Sequence, residues 1–279
     1  MENFGKFSMN FVYRTSLFLI IFSIILGGFA FYQNKINPAM MPVYHITNGN
    51  KKIVFHAMSH IASPGFYNDV KDDISSLKND NFVLFYEGVK PGKEESYDKF
   101  DKALGVKFDA DLYVNMSKLY GLIKQDNSMF LGLLKNKDKN VDLSMDEIVK
   151  LYEKDKTLSG EKDDLKMPVD ANVLITELLS KLDDKQLSIL RFINQSIMNT
   201  IIKNQNIQDS MASAIGNKTI MDTILGKRNT YLIKAIKEEK NKNIVITYGL
   251  LHFKGVFEEL QKQDKNWKLE KTDYLQVIR

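Results

Sequence analysis

The sequence predicts an α/β fold: a mixed β-sheet assembled from strands at the two ends of the chain, with a large helical insertion between them. Three observations carry this. Apolar, β-branched or aromatic runs at 53–55 (IVF), 82–86 (FVLFY) and 244–248 (IVITY) read as buried strands. Residues 69–79 between the first two runs place Val70, Ile74 and Leu77 on one helical face, which makes a strand–helix–strand unit. Between the second and third runs, from about 94 to 240, helical spacing dominates. A βαβ connection makes the first two strands parallel with a right-handed crossover. Their carboxyl ends, which carry His60 and Glu87, then share the sheet edge where open α/β sheets bind ligands.

The chain opens with a leader, 1–34. Residues 15–34 carry no charge, and Lys6 and Arg14 precede them. About 20 uncharged residues suffice to cross a bilayer as a helix. The same stretch, with Gly28-Phe29-Ala30 as a small-x-small site, also fits a secretory signal. The leader is therefore one N-terminal transmembrane helix or a signal sequence. The positive-inside bias puts the remaining domain, 35–279, outside the cytoplasm, membrane-anchored, or secreted if the leader is cleaved.

Pro38 and Pro42 mark a short linker. Residues 43–47 and 52–55, joined by Asn48-Gly49-Asn50, read as a hairpin with a type I′ turn. Ser63-Pro64-Gly65 reads as a turn, and Asn79-Asp80-Asn81 ends the helix before the second strand. Helices are expected at 94–104, 112–124, 144–154, 170–182, 183–204, 218–225 and 227–239, with a charged loop at 155–166. Ser144 with Glu147 fits a capping box, and Asp170 an N-cap. A helix at 256–263 and a strand at 269–277 follow the late strand. The apolar stripes of the insertion read as core.

Composition excludes several functions. The charge of +4 spreads over 39 basic and 35 acidic residues, which leaves no basic patch for nucleic acid. The absence of cysteine removes disulfides, thiolate nucleophiles and cysteine-ligated metals. There is no G-x-S-x-G elbow, P-loop, G-x-G-x-x-G or H-E-x-x-H. Two histidines and a carboxylate stand at strand ends, His60, His252 and Glu87; taken alone the histidines read as satisfied core residues and Glu87 as an ordinary strand end, and the other reading of the trio is a ligand set. That is the smallest protein set for an open catalytic metal centre, and imidazole with carboxylate suits zinc, manganese or cobalt. His56, four residues before His60 on an extended segment, reads as structural, as does His45 on the hairpin.

Four short motifs occur in order: Met58-Ser59-His60, Glu87-Gly88 after a strand, Arg228-Asn229-x-Tyr231-Leu232, and Gly249-Leu250-Leu251-His252. Over roughly 43–275 this order resembles the TraB/PrgY/GumN family, which includes the TIKI metalloproteases. The first motif departs from the family pattern, with Ala57 where the family has glycine. The resemblance implies a manganese- or cobalt-dependent peptidase acting on a peptide or protein substrate. His60 and His252 would be ligands, Glu87 a ligand or general base, and Arg228 would orient Glu87 or stabilise an oxyanion. The alternative it implies is a non-catalytic membrane protein that binds or sequesters a peptide.

Overall fold

The computed structural model describes residues 2–108, 111–128, 135, 137–160, 167–214 and 218–279, with backbone alone for 2–10, 211–214 and 218. Its centre is a six-stranded mixed sheet built from β1 (Met40–Thr47), β2 (Lys52–Met58), β4 (Val83–Tyr86), β6 (Lys139–Asn140), β7 (Asn243–Gly249) and β8 (Lys268–Gln276). The spatial order is β6-β4-β7-β2-β1-β8. β2, β7, β4 and β6 run parallel, while β1 pairs antiparallel with both β2 and β8. The late strand β7 thus inserts between the two early ones. A separate ribbon pairs β3 (Ile61–Ala62) with β5 (Ile123–Lys124).

Strand alternation splits the core into two layers. On one face Val54, Leu84 and Val245 pack under α2 (Pro64–Asn79), against Phe66, Val70 and Ile74. On the other, Ile53, Phe55, Phe85, Ile244 and Ile246 meet Leu232, Ile233 and Ile236 of α10 (Arg228–Glu238) and Val256 and Leu260 of α11 (His252–Gln263). Both faces of β4 and β7 are covered, which explains why their sequences are apolar without alternation. The insertion has its own small core, where Phe100 and Leu104 of α3 (Glu94–Leu104) pack on Ile148, Val149 and Tyr152 of α5 (Met145–Ser159).

Several local expectations are revised. The hairpin loop spans four residues, since Thr47 pairs with Lys52. Gly49 has positive φ (+86°) but Asn48 does not, because the Asn48 side chain accepts from the Asn50 and Lys51 N–H groups at 3.1 and 2.8 Å. That Asx-type loop replaces the expected type I′ turn. Ser63-Pro64-Gly65 is the start of α2, with Pro64 at the first helical position, where its missing N–H costs nothing. The helix expected at 112–124 is α4 (Leu112–Tyr120), stopped by left-handed Gly121 so that β5 can form. With β5 and β6 inside it, the insertion is not wholly helical. Helix α5 continues to Ser159 across half of the expected loop 155–166, whose last six residues, 161–166, lie outside the described residues. The expected helix at 256–263 begins four residues earlier, at His252. The expected caps are present: Ser144 and Glu147 form a reciprocal box, and Asp170 accepts from the Val173 N–H at 3.0 Å ahead of α6 (Ala171–Ser180).

The leader forms α1 (Glu2–Phe31) and a π-helical turn, Tyr32–Ile36. Phe11–Ile36 is long and apolar enough to span a membrane or be a signal sequence, and 6% of its most apolar window is buried. Its end is built into the domain through α7 (Asp184–Lys203). Ala30 and Asn34 are buried there. Asn34 donates to the Phe192 carbonyl at 2.7 Å and accepts from Asn199 at 2.9 Å, and Asn199 in turn accepts from the Ala39 N–H at 2.8 Å.

Candidate active site

The parallel strands bring their carboxyl ends level: Met58 pairs with Gly249, and Tyr86 with Thr247. Glu87 therefore leaves β4 beside Gly249 at the end of β7, with its N–H on the Thr247 carbonyl at 2.9 Å. Three segments of the helical and late regions converge on this edge. They are the loop after β6, the first turn of α10 and the first turn of α11.

Glu87 sits at the centre. Its Oε1 accepts from Arg228 Nη2 at 2.5 Å, and its Oε2 from the Gly249 N–H at 2.6 Å. Gly249 borders both groups: a Cβ there would make ordinary contacts, 3.4 Å from Oε2 and 3.5 Å from His252 Cδ2. Arg228 is fixed from its other side by Asp142, which accepts from Nε at 2.8 Å and from Nη2 at 2.6 Å. Asp142 is fully buried and also accepts the Gly88 and Leu143 N–H groups at 3.1 and 2.8 Å. A π-helical turn, Thr223–Lys227, directly precedes Arg228, a feature enriched at functional positions.

His252 faces the same carboxylate. Its Nδ1 lies 2.7 Å from Asn229 Oδ1, and its Nε2 lies 3.8 Å from Glu87 Oε1. An amide oxygen only accepts, so Nδ1 carries the proton and Nε2 keeps its lone pair toward Glu87. Asn229 is itself set by α11: a Cβ on Gly255 would come within 2.5 Å of Asn229 Nδ2, so only glycine lets the amide rest there. Tyr248 closes the floor. Its ring lies edge-on to His252, with centroids 5.0 Å apart, and its hydroxyl donates to the Val141 carbonyl at 2.6 Å.

His60 stands on the opposite lip, two residues beyond β2. Its ring is exposed and lies 4.6 Å from that of Tyr113, and its carbonyl accepts the Gln125 N–H at 2.7 Å. Asn127 ties this lip to the centre by donating to the Glu87 carbonyl at 3.0 Å.

The electrostatics follow from this packing. Burial pushes the Glu87 carboxyl up, but Arg228, His252, His60 and the Gly249 N–H outweigh it and hold the pKa down at about 2. Burial lowers His252 to about 4, with Glu87 opposing and Arg228 reinforcing the shift. His60 is lowered as well, first by the dense wall around it; Glu87 opposes that shift and Arg228 adds to it. Burial also works against Arg228, but Glu87 and Asp142 more than offset it and raise its pKa. At neutral pH the cleft thus holds an ionised carboxylate, a guanidinium and two neutral imidazoles.

Among the described residues no three His, Asp or Glu side chains already converge as a complete ligand set. The donors nevertheless suit a divalent ion. His252 Nε2 and the Glu87 carboxylate, 3.8 Å apart, are the groups that would hold one. Asn229 supplies the outer hydrogen bond that metal-bound histidines require. The Ala57 substitution does not disturb this edge: Ala57 lies buried in extended β2 and has no positive φ, so glycine's backbone freedom is not needed.

Of the residues predicted from sequence, Arg228 and His252 both face Glu87, at 2.5 and 3.8 Å, with His60 across from them. His56 lies in the sheet under α2, 2.9 Å from Asp73, and His45 lies 2.9 Å from Asp273; both are apart from the cleft. Asp142 was not anticipated. Its one signal was a charge set between apolar neighbours, Val141 and Leu143, in a stretch read as helical. No family model matches the chain, and no curated protein is significantly similar to it.

Proposed function

We propose that this chain is a metal-dependent hydrolase, most simply a peptidase of the TraB/PrgY/GumN type, anchored in the membrane with its catalytic domain outside the cytoplasm. The observation that carries the reading is His252: its Nδ1 is satisfied by Asn229 and its free Nε2 is aimed at a carboxylate that Arg228 keeps ionised.

In this reading His252, Glu87 and His60 would hold one manganese, cobalt or zinc ion. A bound ion of this kind acidifies a water and polarises a carbonyl. The chain's own groups do the rest. Arg228 fixes the Glu87 rotamer and its charge, and Asp142 prevents Arg228 from swinging away. A carboxyl with a pKa near 2 is a weak base, which favours the ligand role of Glu87 over general base. Hydrolysis of an amide places the water oxygen on the acyl carbon, breaks the C–N bond and leaves a proton on the departing amine.

The anchor reading rests on α1. Lys6 and Arg14 lie in its amino-terminal half, ahead of the uncharged stretch 15–34, consistent with that end being cytoplasmic. Ala30, the last residue of the small-x-small site, is packed on α7, which supports retention of the leader. A second reading, sequestration of a peptide without turnover, is favoured by the fact that both Glu87 oxygens are already hydrogen-bonded.

The test is turnover of a mixed peptide library by the full chain in detergent, with manganese, cobalt or zinc supplied in turn. Cleavage by the parent, lost in both Glu87→Gln and His252→Ala, supports the hydrolase. Tight peptide binding with no cleavage under any metal would replace it by the sequestering reading.

A further inference from the structure

A cavity of about 350 Å³ opens beside the cleft, where the end of the leader, β1, β8 and the end of α7 meet. It is an open pocket: Met40, Pro42, Tyr44, Tyr274 and Leu250 form one side, Asn37, Gln205 and Gln208 line the rest, and Lys203 supplies a cation. No Asp or Glu lines it. Lys203 bonds Gln33 and the Asn37 carbonyl, both neutral, and has no carboxylate partner among the described residues. A cation in a chamber without acids, set against aromatic rings, is complementary to an anion attached to an apolar body.

The cavity adjoins the candidate site through Leu250. The preceding residue, Gly249, gives its N–H to Glu87, and the N–H of Leu250 bonds the Met58 carbonyl at 3.1 Å, two residues before His60. Leu250 therefore stands between the two halves of the cleft and faces the cavity. Tyr44 is stacked on Phe253, the residue after His252, with ring centroids 3.4 Å apart, which ties the opposite wall to the same helix start.

We infer that this cavity is a specificity subsite for peptides ending in an apolar or aromatic residue, with the free terminal carboxylate on Lys203. The inference rests on the peptidase or peptide-binding reading and deepens it by naming the end of the peptide that is recognised. A main-chain carboxylate supplies the anion, and its own side chain supplies the apolar body that the tyrosines and Leu250 enclose. A lipid head group beside the leader is another source of an anion, which the short-chain phospholipid arm of the test distinguishes.

The test measures binding, not turnover. The full chain in detergent is titrated with N-acetyl-phenylalanine and with its carboxamide, followed by ligand-detected NMR. The parent is expected to prefer the acid by tenfold or more, the range of a charge-assisted hydrogen bond. Lys203→Gln should abolish that preference and Lys203→Arg should keep it; Tyr274→Ala should weaken acid and amide alike. Equal binding of acid and amide by the parent would overturn the inference. So would retention of the preference in Lys203→Gln, or occupation of the cavity by a short-chain phospholipid that the acid cannot displace. Acid-selective binding without cleavage of any peptide would sink the hydrolase and leave the subsite standing. Cleavage indifferent to the terminal carboxylate would do the reverse.

Discussion

The two histidines of the cleft are built in opposite ways. His252 is buried, its tautomer is set by Asn229, its ring is edged by Tyr248, and the carboxylate it faces is held by Arg228 and a backbone N–H. His60 is exposed on a short segment beyond β2, held by its backbone and by contact with the Tyr113 ring. One wall is preorganised by ionic and hydrogen-bonded contacts from four elements, whereas the other is a lip. The fixed half sets charge and geometry, and the other half is open to solvent.

The largest effect should come from breaking the fixed wall. Arg228→Ala leaves Glu87 and Asp142 buried without a counter-charge and should cost about 3–5 kcal/mol in denaturant unfolding. His60→Ala, on the lip, should cost less than 1 kcal/mol in the same assay, as surface changes do. Comparable losses would mean that both walls are core.

The pH dependence sharpens the contrast. His252 has its pKa lowered from 6.5 to about 4 in the folded chain. Between those values the unfolded chain takes a proton that the folded chain refuses. Stability of the metal-free protein should therefore fall as pH drops from 6.5 to 4, by roughly 3 kcal/mol for a shift of this size, then level off. Glu87 adds its own loss lower, between 4.5 and 2, as the carboxylate that stabilises the fold is protonated. His252→Gln should flatten the upper window in part, leaving the contributions of His60 and His45, whose pKa values are also lowered; an unchanged profile would contradict the burial of His252.

Most of the fold could be read from sequence because the core strands carry runs too apolar and too β-branched for any exposed role. Ile53–Phe55, Val83–Phe85 and Ile244–Ile246 are all in the sheet, with their two-sided burial. What stayed hidden was non-local. Nothing local says that β7 inserts between β2 and β4, or that a two-residue β6 reaches the sheet edge. Asp142 follows β6 by two residues, so missing that strand meant missing the anchor of Arg228. Asn229 was visible as part of a motif, but its partner is 23 residues away, and the need for Gly255 appears only once two helices pack.

Asn229→Leu should weaken affinity for a divalent ion by about 10–100-fold, the usual effect of losing an outer hydrogen bond to a metal histidine. Tyr113→Leu, on the lip, should leave it nearly unchanged. Gly255→Ala should have a smaller effect of the same kind, because the new methyl displaces the Asn229 amide without removing it. Metal titrations of the three variants rank them, and a Gly255→Ala value equal to the parent would show that Asn229 can move freely.

The central claim, a metal centre spanning both walls, is tested most directly by metal titration of the full chain beside His60→Ala/His252→Ala. The account predicts about one manganese, cobalt or zinc ion bound by the parent, and none by the double variant, which remains folded. Failure of the parent to bind any of the three ions, with the double variant losing stability, would mean that the histidines serve the fold and that the cleft is not a metal centre.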